Sequence, residues 1–254
     1  MKIYLNILIY FNLVFSITGL ELAQKVKDRP QPEDIQSNSS MLLTNKKGKK
    51  KNLLLISKSK DDSKKQMIWF LEPKDDYGIS FLKIEKDEGD DFMNMWLPAF
   101  KKFRRISSQK KSDSFMGSDL SFEDMTNREV NDYQYKILNN NASCFENDEI
   151  NNCYILESVP NDKNSEYSKH ISWIDKTSYL SYKEESYDKE DKLLKKKTIK
   201  YSVIDNYSIM DELFVENVQK NHSTLLKVSE IKINLGFKDD MFHTKTIKRM
   251  PLID

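Results

Sequence analysis

Apolar positions along this chain fall into short runs, not long helical faces. Met67-Ile68-Trp69-Phe70-Leu71 and Gly78-Ile79-Ser80-Phe81-Leu82-Lys83-Ile84 are rich in β-branched and aromatic residues and are flanked by turn-forming residues, the signature of strands. Runs of the same kind recur at 37–44, 52–59, 92–100, 153–159, 170–175, 179–187, 193–201, 213–218 and 224–235. Turns are predicted at 46–50, 175–177 and 188–192. Leu20, Leu22, Ala23 and Val26 keep helical spacing, which predicts a short helix over 20–27, ended by Pro30 and Pro32. A second short helix is predicted within 239–250. Many short strands with few helical patterns between them specify a mainly β (α+β) fold, an antiparallel sheet, sandwich or barrel. In the strand at 67–71, Ile68 and Phe70 lie on one face while Met67, Trp69 and Leu71 lie on the other. Apolar material therefore covers both faces of the middle of the sheet. Either ordinary packing supplies it, or one face borders an apolar cavity inside a curved sheet.

The first residues follow a different pattern. A short basic start at Lys2 precedes the run 3–15, which is apolar except for Asn6 and Asn12, and the small residues Ser16 and Gly19 follow. This predicts a secretory signal over 1–19, with cleavage after Ser16 or Gly19, leaving one domain over 20–254. An uncleaved anchor is the alternative. Export gives weight to Cys144 and Cys153, the only two cysteines. The polar stretch between them borders strand-like sequence, so a hairpin closed by a disulfide is expected in an oxidising compartment; two free thiols are the alternative. The charge balance, 41 Lys+Arg against 40 Asp+Glu, excludes the basic excess of a general nucleic-acid binder.

One stretch carries more information than the rest. Trp96-Leu97-Pro98 leads into the basic segment Lys101-Lys102-Phe103-Arg104-Arg105-Ile106, then to Phe115-Met116-Gly117-Ser118-Asp119 and Phe122-Glu123-Asp124. Arginine forms rigid bidentate bonds to carboxylates. Arg104 or Arg105 paired with Asp119, Glu123 or Asp124 would clamp the Gly-Ser turn to the sheet. Adjacent strand residues face opposite ways, so one arginine is expected to clamp and the other to meet a lipid headgroup or a partner.

These residues resemble the hallmark of the LolA-like family of exported outer-membrane lipoprotein-sorting proteins: Trp96, Leu97-Pro98, Arg104-Arg105-Ile106, Phe115, Gly117-Ser118-Asp119 and Glu123-Asp124. The similarity extends to Asp28-Arg29-Pro30, Phe70-Leu71-Glu72-Pro73 with Gly78 and Phe81-Leu82, Val159-Pro160 with Tyr167, Trp173-Ile174-Asp175 and Asp240-Met241-Phe242. Two departures are the direct Trp96-Leu97 junction, where the family often has an extra aromatic, and Phe122 in place of a common tyrosine. The resemblance implies a strongly curved antiparallel sheet, an incomplete β-barrel closed by short helices around an apolar concavity. It also implies a place in the periplasm of a Gram-negative type envelope.

Two functions follow as expectations. The first is a carrier for lipid or lipoprotein acyl chains, with Trp69, Phe81, Phe92, Met95 and Trp96 as candidate lining. The second is a non-catalytic module acting beside an inner-membrane exporter of the RND or MMPL type. An open apolar pocket favours the carrier and a packed interior the module. No enzyme, cofactor or metal is expected. His170, His222 and His243 are not spaced as metal ligands, and neither a nucleophile elbow nor a Gly-rich phosphate loop occurs.

Overall fold

The computed structural model describes residues 16–145 and 152–251. The expected export signal lies, up to residue 15, outside the described residues, as does the middle of the 144–153 loop. The first element is α1 (Gly19–Lys27). The Thr18 hydroxyl accepts from the Glu21 amide and the Glu21 carboxylate accepts from the Thr18 amide, a reciprocal cap that satisfies two otherwise orphaned donors. Leu22 and Ala23 face inward, against Leu156 and Ile174. A Cβ on Gly19 would lie 2.9 Å from the Tyr135 backbone, so only glycine lets the helix start press on the strand beneath it.

The strands are β1 (Asp34–Thr44), β2 (Lys50–Lys60), β3 (Lys65–Glu72), β4 (Ser80–Ile84), β5 (Phe92–Leu97), β6 (Lys102–Arg105), β7 (Tyr133–Ala142), β8 (Cys153–Pro160), β9 (Lys169–Asp175), β10 (Ser181–Tyr187), β11 (Leu193–Ile204), β12 (Tyr207–Asn217) and β13 (His222–Ile233). They form one antiparallel sheet in the order β6-β5-β4-β3-β2-β1-β13-β12-β11-β10-β9-β8-β7. Two meanders, β1–β6 and β7–β13, are thus joined where β1 pairs with β13. The edge strands β6 and β7 do not pair with each other, so the sheet is curved and open, not a closed barrel. The predicted run at 92–100 divides at Pro98. One 3-10 turn, Pro98–Phe100, and a left-handed Lys101 (φ 50°) reverse the chain into β6. Cys144 and Cys153 are joined by a disulfide at the start of β8.

The outer face of β3–β5 is covered by the C-terminal segment. Phe242 and Ile247, the latter in α2 (Thr244–Ile247), pack on Met67, Trp69 and Leu82. The Ser80 hydroxyl donates to the Ile247 carbonyl at 2.6 Å, and Lys60 to the Phe237 carbonyl at 2.8 Å. This cover is why β3 is apolar on both faces. The inner face is covered by residues 106–132, which connect the two edge strands.

Candidate functional site

Segment 106–132 touches both halves of the sheet. Phe122 stacks on Phe81 of β4 (ring centroids 5.8 Å), while Asp124 meets Lys195 and Lys197 of β11. Strands β3, β2, β1, β13 and β12 lie between those two in the sheet, so the sheet wraps around the segment, and this wrapped face is its concave side.

The concave side has two characters. Over β1–β5 it is apolar: Met41, Leu43, Leu53, Leu55, Ile68, Phe70, Phe81, Met93 and Met95 form one buried cluster with Ile106, Phe115 and Phe122 of the segment. Phe115 is fully buried, with Phe81, Phe122 and Phe70 at 5.3, 5.7 and 5.9 Å. Lys83 is buried on the same side; its ammonium pairs with Glu85 and donates to the Met125 carbonyl at 2.6 Å.

Over β8–β11 the concave side is charged. Asp124 accepts from Lys197 at 2.6 Å, Lys195 at 2.8 Å, the Tyr167 hydroxyl at 2.8 Å and the Ser121 amide at 2.9 Å. Glu184 receives both arms of Arg128 at 2.6 and 2.9 Å, and Lys197 at 3.1 Å. Burial alone would raise both carboxyls. Lys197 and Lys195 outweigh it at Asp124, Arg128 and Lys197 outweigh it at Glu184, and both carboxyls are held well below their ordinary range. Burial, reinforced by Arg128, pushes His170 well below the ordinary imidazole value. Its Nδ1 accepts from Arg128 (3.2 Å) and lies 2.9 Å from Ser186 Oγ, which fits a neutral ring with the proton on Nε2. Glu123 moves the other way, raised by burial, while accepting from Ser165 and the Glu166 amide. Buried charge survives only when paired and hydrogen-bonded; Asp124, Glu184, Lys195, Lys197 and Arg128 are both, whereas Glu123 is hydrogen-bonded only. The cluster binds the segment to the sheet; it exposes no poised nucleophile.

Among the described residues, cavities border the segment at several places. The first, of about 650 Å³, lies between residues 85–91 and 160–165 and is polar. The second, of about 540 Å³, opens beside the 45–49 and 217–222 turns. The third, of about 260 Å³, lies under α1 near Arg128 and Glu184. Among the described residues no group of metal-ligating side chains comes together.

The residues singled out from sequence are dispersed by this arrangement. Phe81 and Met95 are cross-strand partners on the concave side. Trp69, Phe92 and Trp96 belong to the opposite face, in the cluster under the C-terminal segment. The five therefore do not line one cavity; strand alternation divides them. The arginine clamp is also corrected. Arg104 pairs with Asp113 at 2.9 Å, both side chains about half exposed at 46% and 47%. Arg105 is exposed opposite Asn94 and has no ion pair among the described residues. Asp119 is held instead by Thr224 and His222, both at 2.7 Å, Asp124 by the β11 lysines, and Glu123 by Ser165. The reason is position: β6 is the outermost strand, whereas the acidic residues lie deep inside on the segment. The true anchors, Lys195, Lys197, Arg128, Glu184 and His170, escaped the sequence reading. The alternation of Lys195 and Lys197 on one face of a strand, complementary to an acidic loop, was the available signal.

This is the architecture of a non-barrel, LolA-like curved sheet with a filled inner face. A family model described as that of an uncharacterized protein matches residues 62–249. A candidate outer membrane lipoprotein-sorting protein domain from Vibrio parahaemolyticus is 32% identical, with TM-score 0.83 over 91% of this chain and 98% of that one. A DUF1329 family protein from Desulfovibrio piger ATCC 29098 is 30% identical, with TM-score 0.81 over 90% and 97%. The LolA superfamily protein NE2245 from Nitrosomonas europaea shares the fold at 18% identity, with TM-score 0.72 over 91% and 99%. No curated protein matches. The chain belongs to the family of that outer membrane lipoprotein-sorting protein domain and DUF1329 protein, with the LolA-like fold.

Proposed function

We propose that this protein is an exported, non-enzymatic envelope protein that carries lipid or lipoprotein acyl chains on the apolar half of its concave face. The observation that carries the reading is the division of that face. A continuous apolar surface over β1–β5 is roofed not by helix or sheet but by one irregular segment, whose Phe115 and Phe122 occupy the place an acyl chain would take. Each buried methylene contributes about 0.8 kcal/mol, so a chain displacing those rings recovers their burial without any chemistry. Phe81 and Met95 are the proposed chain contacts retained from the sequence. Similarity to a candidate lipoprotein-sorting domain supports the reading.

The packed interior favours a second reading: a module that docks beside an RND- or MMPL-type exporter and holds no lipid. Native mass spectrometry of protein purified in the presence of membranes separates the two. Co-purifying lipid supports the carrier. Protein that is always lipid-free and does not bind fluorescent fatty acids removes it and leaves the module.

A further inference from the structure

The 540 Å³ cavity has a rim the family reading does not explain. Because β1 pairs with both β2 and β13, the β1–β2 turn and the β12–β13 turn lie side by side at one end of the sheet. Lys46, Lys47 and Lys49 come from the first and Lys220 from the second, and all four line the cavity. They are exposed and, among the described residues, have no ion-pair partner. Both turns are held in shape by asparagines. Asn45 Oδ1 accepts from the Lys47 and Lys49 amides at 2.9 and 3.1 Å, and Asn217 Oδ1 from the Lys220 amide at 2.9 Å. The two carboxylates on the lining are already engaged: Asp119 by His222 and Thr224, and Glu166 by Lys195 at 3.3 Å. The result is a concave, preorganised site with four uncompensated ammonium groups, in which field focusing favours an anion. Its wall is the Gly117–Ser121 stretch of the same segment that roofs the apolar face.

We infer that this mouth binds a net-anionic phosphate group and, resting on the carrier reading above, that the group is the headgroup of the lipid whose chains the concave face takes. Lysine binds phosphate as a point charge, so the site selects for charge and tolerates variation in headgroup shape.

Calorimetric titration with dihexanoyl phosphatidylglycerol, dihexanoyl phosphatidylcholine and inorganic phosphate tests this. The full chain is compared with a Lys46→Gln, Lys47→Gln, Lys49→Gln, Lys220→Gln variant, whose exposed substitutions should leave circular dichroism unchanged. The phosphatidylglycerol is expected to bind about tenfold more tightly at low salt, the preference vanishing in the variant and shrinking as salt screens the lysines. Equal binding of both lipids, or a preference that survives in the variant, overturns the inference and leaves the carrier reading standing. Binding of inorganic phosphate but of neither lipid upholds the anion site and overturns its assignment to a lipid together with the carrier reading. Binding of no probe overturns both.

Discussion

Replacing Asp124 by alanine removes the carboxylate on which Lys195 and Lys197 converge. In the intact cluster, Asp124, Glu184 and Glu166 face Lys195, Lys197 and Arg128, an even balance. After the change Lys195 keeps only Glu166, at 3.3 Å, and Lys197 only Glu184, at 3.1 Å. One buried positive charge is then uncompensated, and the Tyr167 hydroxyl loses an acceptor. Breaking a buried pair in this way costs about 3–5 kcal/mol, which for a domain of this size lowers Tm by roughly 6–20 °C. Differential scanning calorimetry at neutral pH measures it. Asp124→Leu combined with Lys195→Met removes one charge of each sign and should recover most of the loss, because a well-packed apolar replacement of a buried pair is often neutral. A single-variant loss under about 1 kcal/mol, the range of exposed pairs, would refute the reasoning and mean that water reaches these charges.

Phe115→Ala should cost about 3–5 kcal/mol by the cavity it leaves, read as a shift in urea midpoint; a near-zero shift would mean that the segment does not pack on the sheet. Arg104→Ala and Arg105→Ala should each change stability by about 1 kcal/mol or less, and a large loss in either, by the same melt, would restore the clamp. Stability should be full above about pH 6.5 and fall on acidification. The unfolded chain takes a proton on its histidines below about pH 6.5 while buried His170 resists it. Glu123, raised by burial, opposes part of this fall above the ordinary carboxylate range, and below about pH 4 the depressed Asp124 and Glu184 add to the decline. Urea titrations from pH 8 to 3 would show this, and stability that rises as pH falls from 7 to 5 would contradict it.

Strands β3–β5 were legible because both their faces are covered, which makes them read as dense apolar runs such as 67–71. β7 was not: its asparagine-rich end at 139–141 is exposed, so no burial pattern marks it. β6 is short and exposed along its whole length. Phe115 and Phe122 sit among Gly, Ser and Asp in the chain, and local composition reads as a turn although the rings are core. The charged cluster was hidden for a related reason. A lysine at alternate strand positions reads as solvated, and only the long-range approach of Asp124 and Glu184 makes burying it tolerable. What sequence cannot display is which distant carboxylate reaches which lysine. The hallmark residues at 96–124 named the family correctly, but in the structure the acidic ones among them serve the interior and not the arginines.

The chain order of the strands also sets the terms on which the molecule assembles. Within each meander every ladder joins neighbours along the chain, so each can zip locally. The β1–β13 ladder is different: it brings together residues such as Asn38 and Glu230, 192 positions apart. Loop closure on that scale must be met before the contact returns anything, and topologies dominated by such contacts fold slowly. The segment between the meanders cannot find its two-sided seat until that ladder exists, because the apolar wall belongs to one meander and the charged wall to the other. Until then Phe115, Phe122 and the apolar strand faces are exposed together, so the interval before the seam closes is when this chain is most exposed to aggregation.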